Sequence, residues 1–260
     1  MFGGGERESP VGPLQEPNAQ LVVDDTLSEV AKCERYVLSP LPVQRLVYVK
    51  RLAQCVKECN VKEAGDRLLP LLRKVASDRE QVIRQALAEE LGGLGQYLAA
   101  EPTRQGYGYI QTFLFPVVET LLVDTVPEVR TSCSRALVDI AAVLSEEDVG
   151  SVVLTSVLKL VHTHDDNLEQ RTTAVLLLND LAYVLGPQLC KSFVVPQLAS
   201  FADDVVFRVR KAAAQSFGNV AQVVGAVITL AKLLPVYSKL ASDNIWGVRK
   251  GCVESLVPMA

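Results

Sequence analysis

Apolar residues recur at helical spacing, not strand spacing, along almost the whole of this 260-residue chain. Val82, Ala86, Leu87, Leu91 and Leu94 fall on one face of a helix, and Val209, Ala213, Phe217, Val220 and Val224 repeat the arrangement downstream. Segments such as "GDRLLPLLRKVAS" and "VITLAKLLPVYSKLAS" precede those helices, equally apolar but each holding a proline. A proline inside a helix removes one N–H and crowds the preceding turn, so these segments predict short or kinked helices. The chain therefore reads as alternating pairs: a proline-marked first helix, then an amphipathic second one.

The pairs are in register. An Asp followed six residues later by an Arg occurs at Asp78/Arg84, Asp124/Arg130, Asp165/Arg171, Asp204/Arg210 and Asp243/Arg249, with steps of 46, 41, 39 and 39 residues. Pro70, Pro116, Pro196 and Pro235 each stand eight residues before the framed Asp, and only the copy at Asp165 departs, with Val157 in that place. Ser39 and Arg45 form a degenerate opening copy. A period of about 40 residues signals a solenoid, because a single helix pair cannot bury both of its apolar faces.

The expectation is an all-α, curved superhelix of about six antiparallel helix pairs, with approximate repeats at 24–59, 62–99, 105–144, 148–185, 187–225 and 227–260. At roughly 8 to 10 Å between helices, it should extend about 50 to 60 Å. Residues 1–22, with three adjacent glycines and Pro10, Pro13 and Pro17, read as a flexible tail, and the first helix is expected near Asp24. Capping boxes are expected at Thr125 with Glu128 and at Asp166 with Glu169. Each Arg lies about one turn inside its helix, where it can reach the Asp of a neighbouring repeat. Treated as exposed pairs worth about 0 to 1 kcal/mol each, this ladder fixes register more than it stabilises.

Composition narrows the function. With 49% hydrophobic and 22% charged residues the chain is globular, and a net charge of −4 provides no basic field for nucleic acid. Its most apolar run, "TAVLLLNDLAYVL", is too short to cross a bilayer, so no membrane is expected and the chain is placed in the cytoplasm, with the nucleus also open to it. The six cysteines lack disulfide-scaffold spacing and read as reduced thiols.

Candidate chemistry is sparse. "HTHDD" brings His162, His164, Asp165 and Asp166 together, but with no distant His to complete a metal set it reads as a polar turn. Cys55 and Cys59 share a helical face without a second pair and read as small buried hydrophobes. "LGGLGQYL" and "RQGYGYIQ" lack the Lys-Ser/Thr ending of a phosphate loop and read as helix ends and inter-repeat turns. No nucleophile stands beside a base, so neither an enzyme nor a cofactor is expected.

Proline-marked first helix, Asp turn and Val-Arg in the second helix together resemble HEAT repeats. The copies "FADDVVFRVRKAAAQSFGNVAQVVG" and "LASDNIWGVRKGCVESL" resemble in particular the regulatory subunit 1 family of protein phosphatase 4, and more loosely the phosphatase 2A scaffold. That resemblance implies a non-catalytic subunit that grips a serine/threonine phosphatase catalytic subunit and positions it, and with it its substrates. The ridge of inter-helix turns would carry the contacts: Arg79, Val126, Asp166, Asn167, Asp203, Phe207, Asn244 and Trp246. Phe207 and Trp246 occupy equivalent places, either as ridge anchors or as seam filling between repeats. An importin-type adaptor, binding peptide cargo or a small GTPase, is the alternative. Val253, Leu256 and Val257 lack a following repeat, so the chain is expected to be a fragment or to have this edge covered by a partner.

Overall fold

The computed structural model describes residues 22–162 and 168–259, with side chains described to Val161 and from Leu168 to Leu256. All regular elements among them are helical. The first pair is α1 (Glu29–Tyr36) and α2 (Pro42–Glu58). The second has α3 (Val61–Arg67), a 3-10 turn and α4 (Leu72–Ala76) in its first limb and α5 (Gln81–Ala99) in its second. The third runs α6 (Gln105–Tyr109), α7 (Phe115–Leu122), α8 (Pro127–Ala141), and the fourth α9 (Glu146–Asp148), α10 (Leu154–His162), α11 (Leu168–Asp180). Then follow α12 (Ala182–Leu189), α13 (Val195–Phe201), α14 (Phe207–Gln215), α15 (Phe217–Ile228), α16 (Leu234–Ala241) and α17 (Trp246–Met259). The second helices stack in order, α2 on α5, α5 on α8, α8 on α11, α11 on α14 and α14 on α17, and one continuous apolar core runs through the stack.

The first helix starts at Glu29, not near Asp24, because Ser28 caps it by accepting the Ala31 N–H at 3.3 Å. Asp24 instead closes a turn on the Thr26 N–H. The tail expected at residues 1–22 lies outside the described residues apart from Val22.

The prolines act through a specific backbone device. π-turns occupy Ile110–Leu114, Val149–Val153, Cys190–Val194 and Thr229–Leu233. In each, the N–H of the next residue reaches five residues back, as from Phe115 to Ile110, Val195 to Cys190 and Leu234 to Thr229. The widened turn makes room for the ring of Pro116, Pro196 or Pro235 one residue later, so the helix continues past a residue that cannot donate. Counted from the π-turn of the fourth repeat, Val149–Val153, the place of proline belongs to Thr155 and not to Val157. From that place to the first residue of α11 the chain is two residues longer than from the proline to the second helix in the other repeats.

Between repeats, Asn60 and Ser145 cap the incoming helix through their side chains, while the equivalent places further on hold Gly186 (φ 71°) and Gly225 (φ 77°). That left-handed conformation turns the chain sharply at no steric cost to glycine. Gly225 also breaks Phe217–Ala241, a 25-residue stretch of mean hydropathy 1.7 that by length and composition could cross a membrane. The sequence reading overlooked this stretch in favour of "TAVLLLNDLAYVL". Its two limbs belong to different repeats.

Gly92, Gly93 and Gly95 sit inside α5, not at helix ends as the sequence suggested. The reason is close packing: a Cβ on Gly92 would lie 2.7 Å from Asp139 Oδ2, and one on Gly95 2.6 Å from Ile140 Cγ1. These bare positions let α5 lie closely along α8. In α8 the counterparts are Val138 and Ala141, and α8 is held away from α11 by a groove of about 480 Å³ lined by Val138, Asp139, Leu176 and Asp180 among others.

Opposite effects are therefore expected at two neighbouring glycines. Gly95→Val should destabilise by about 1–3 kcal/mol through overpacking against Ile140, whereas Gly93→Ala, with open space around its new methyl, should stabilise by about 0.5–1 kcal/mol. Denaturant unfolding of the two variants reads both signs.

Candidate functional site

Each framed Arg holds two repeats together. Arg84 donates Nη1 to its own repeat's Asp78 carbonyl at 2.7 Å, and Nε and Nη2 to the next repeat's Asp124 carboxylate at 2.6 and 2.9 Å. Arg45 does the same to Ser39 O and Asp78, and Arg210 to Asp204 O and Asp243. Arg171 reaches Asp204 at 3.0 Å.

The carboxylate has a second task. Oδ1 of Asp78, Asp124, Asp204 and Asp243 accepts the N–H two residues on, at 2.8–2.9 Å, at the start of the second helix. This replaces the capping box expected at Thr125. Val126 is the N-cap of α8 and makes no side-chain cap bond, so its N–H is satisfied by Asp124. Ser39 reproduces that bond with its hydroxyl, to Leu41 N–H at 3.1 Å.

One rung differs: Arg130 pairs with Glu169, in the first turn of α11. Asp165, the acid expected there, lies outside the described residues, as do His164, Asp166 and Asn167 and the capping box begun at Asp166. The ladder pairs are not the exposed ones assumed from sequence. Leaving Glu169 aside, their side chains are only 7% to 16% exposed.

That burial shapes the charges. Desolvation pushes the Asp78 and Asp124 carboxyls up, but hydrogen bonds from Arg45 or Arg84 and from the turn N–H outweigh it and hold both below the usual value. Asp243 is lowered chiefly by its hydrogen bond from Arg210. Every framed carboxylate among the described residues is thus engaged in architecture. Among those residues no group of three or more His, Cys, Asp or Glu could hold a metal. All six cysteines are free and buried, and burial raises the Cys190 thiol to about 11.

The remaining ridge side chains differ in what they offer. Arg79 is exposed beside Glu80, Val126 is half-buried, Asp203 pairs with Lys239, and Asn244 is exposed with its carbonyl on Arg249. Phe207 is 43% and Trp246 67% exposed, so both stand on the ridge and do not fill a seam. Sequence reading missed their neighbours Val205, 91% exposed, and Ile245, 36% exposed. A signal existed: Val205 directly follows a framed Asp where other copies have Arg79, Thr125 and Asn244. Arg208 lies beside Phe207, and the Lys250 ammonium sits 5.7 Å from the centre of the Trp246 ring. The turns of the last two repeats thus present an apolar patch bordered by cations, a type of surface that recruits protein partners.

The architecture and its ladder define a HEAT-repeat α-solenoid, and the HEAT repeat family model matches residues 114–144, the third helix pair. Over 204 residues the chain is 28% identical to serine/threonine-protein phosphatase 4 regulatory subunit 1 of Homo sapiens, covering 76% of this chain and 21% of that protein, and 27% identical to the Mus musculus protein. The chain spans about a fifth of the length of these curated relatives. In fold it is similar to Cex1p (TM-score 0.55, 16% identity, 89% of this chain and 43% of that one). It is similar also to the structure described as "Crescerin uses a TOG domain array to regulate microtubules in the primary cilium" (TM-score 0.55, 18% identity, 88% and 90% covered).

Breaking one rung should be costly. Arg84→Ala leaves Asp124 buried without its counter-charge and should lose about 3–5 kcal/mol, while Arg79→Ala on the exposed ridge should stay within about 0.5 kcal/mol; thermal unfolding compares the two.

The depressed carboxyls also set a pH dependence. Their stabilisation is fully present above the unfolded Asp value near 4 and disappears as pH falls through the lower folded values. The unfolding midpoint should hold between about pH 7 and 5 and fall below about pH 4, with a shallower fall in Asp124→Asn.

Proposed function

We propose that this chain is a non-catalytic scaffold or regulatory element that binds a serine/threonine protein phosphatase catalytic subunit of type 4 or 2A and positions it. The observation that carries the reading is the likeness to phosphatase 4 regulatory subunit 1 across 76% of the chain. The site supports it in kind. Repetition commits the charged groups to holding repeats in register, and leaves an exposed apolar and cationic ridge at Val205, Phe207, Ile245 and Trp246 as the surface able to choose a partner. Such a surface contributes contact area and geometry while the bound subunit performs the phosphoester hydrolysis.

Purified catalytic subunits of phosphatase 4 and 2A, offered separately to the immobilised chain, test this. Binding of either is expected, and Trp246→Ala should weaken it at least tenfold, about 1.4 kcal/mol, while leaving the unfolding midpoint unchanged. Failure of both subunits to bind overturns the reading. Capture of a basic peptide or a small GTPase instead would put the transport-adaptor function in its place.

A further inference from the structure

The first helix pair fills its seam with sulfur where the other repeats use aliphatic carbon. Cys33, six residues before Ser39, corresponds to Leu72, Val118 and Leu198, and Cys55, sixteen after Ser39, corresponds to Leu94, Ile140 and Val220, all of them buried. Cys59, one turn beyond Cys55, stands where Leu98 and Leu185 are found. Three of the six cysteines thus converge on one seam, although the fold accepts leucine or valine in the same places. The other three, Cys133, Cys190 and Cys252, are buried singly in different repeats.

Cys33 on α1 and Cys55 on α2 face each other. The Cys33 thiol donates to Tyr48 O of α2 at 3.7 Å, and the Cys55 thiol donates to Glu29 O of α1, one turn before Cys33, at 3.8 Å. The two sulfurs also share a hydrogen bond. With Cys55 as the thiolate, the Cys33 S–H donates to it, which holds the Cys55 thiol below its usual value and raises that of Cys33. One sulfur is thereby made the nucleophile while the other keeps its proton beside it. Both are buried, but α1 is only eight residues long, and the ion pairs tying it to later helices, Glu29 with Arg51 and Glu34 with Arg67, lie at the surface. Surface pairs contribute little, so a local opening of α1 admits a small reagent without global unfolding.

We propose that Cys33 and Cys55 are a modification site, a thiol pair that a hydroperoxide oxidises to a disulfide joining α1 to α2. In the first step the Cys55 thiolate attacks a peroxide oxygen. The O–O bond breaks, the leaving oxygen takes the proton that Cys55 had shed and departs as water or an alcohol, and Cys55 becomes a sulfenic acid. In the second step Cys33 attacks Cys55 Sγ and gives its proton to the departing hydroxyl; the S–O bond breaks, the S–S bond forms and water leaves. The two thiols give up two electrons in all, the hydroperoxide takes them, and a dithiol reverses the change by exchange. Cys59 is the bystander: it lies on the same helical face as Cys55, its thiol donates to Val56 O at 3.5 Å, and burial raises it.

Hydrogen peroxide, added to the reduced chain and removed with catalase, tests this. Trypsin puts the three sulfurs on separate peptides, 33–35, 52–57 and 58–62, so alkylation in denaturant and digestion without reductant identify any linkage by mass. Peptide 33–35 should be joined to 52–57 with the loss of two hydrogens, two of the six thiols should be consumed, and dithiothreitol should recover both. The unfolding midpoint of the oxidised chain should lie about 5 °C above that of the reduced one. Cys33→Val, which copies Val118, and Cys55→Val, which copies Val220, should fold, slow the loss of thiols about tenfold and abolish the rise in midpoint. Thiol loss spread evenly over the six cysteines, a linkage between 52–57 and 58–62, sulfinic acid at Cys55 without a linkage, or no loss of thiols at all overturns the inference.

Discussion

A guanidinium that satisfies two repeats at once is the interaction on which this architecture depends. Nη1 closes the turn of its own repeat by taking the carbonyl six residues back, and Nε and Nη2 take the carboxylate of the next. The same carboxylate caps the helix it precedes. Three backbone or charge requirements, each awkward to bury alone, are met by one Arg and one Asp. The pair is therefore bound to a fixed distance along the chain, which is why one spacing persists while the apolar residues around it vary. The direct energy of such pairs is offset by desolvation. Their larger effect is to exclude other registers: a slip by one residue would leave the whole set of buried charges unmatched.

The rungs also locate where the array is least regular. At the fourth repeat the stretch leading to the second helix is two residues longer, Arg130 pairs with Glu169 and not with an Asp, and α8 and α11 stand apart across a groove. Upstream, Gly92 and Gly95 allow α5 and α8 to approach closely; Val138 and Ala141 occupy the counterpart places in α8. Bending of the solenoid should concentrate here, where the second helices share the least apolar contact.

Fold and ladder were legible in the sequence because both are periodic: the Asp and Arg of each frame mark contacts that recur at nearly constant separation. The details that escaped are those in which the backbone decides. Thr125 and Glu128 have the residue types of a capping box, yet the N-cap of α8 is Val126, one residue on, and Asp124 accepts the Val126 N–H. The prolines announced a disturbance, but nothing in their pattern says whether a helix will kink or widen into a π-turn. Phe207 and Trp246 share a register whose exposure depends on how far the turns project, a tertiary quantity. For that reason Val205 and Ile245 went unnoticed, apolar residues in an apolar-rich chain.

Repetition and recognition make opposite demands on the same turns. A position that holds repeats together must be alike in every copy, so its residue can carry little information about a partner. In the proposed scaffold, specificity would be left to the positions that the ladder does not use, one and three residues after the framed Asp. In the second repeat these are Arg79 and Gln81, and in the third Thr125 and Pro127; in the fifth and sixth they are Val205 with Phe207 and Asn244 with Trp246. Apolar exposure rises toward that end of the ridge, and the cations beside it, Arg208 and Lys250, take no part in the ladder. A surface of this kind costs the fold little, since its side chains are supported by turns already fixed from beneath. It can diverge freely while the frame that presents it stays the same.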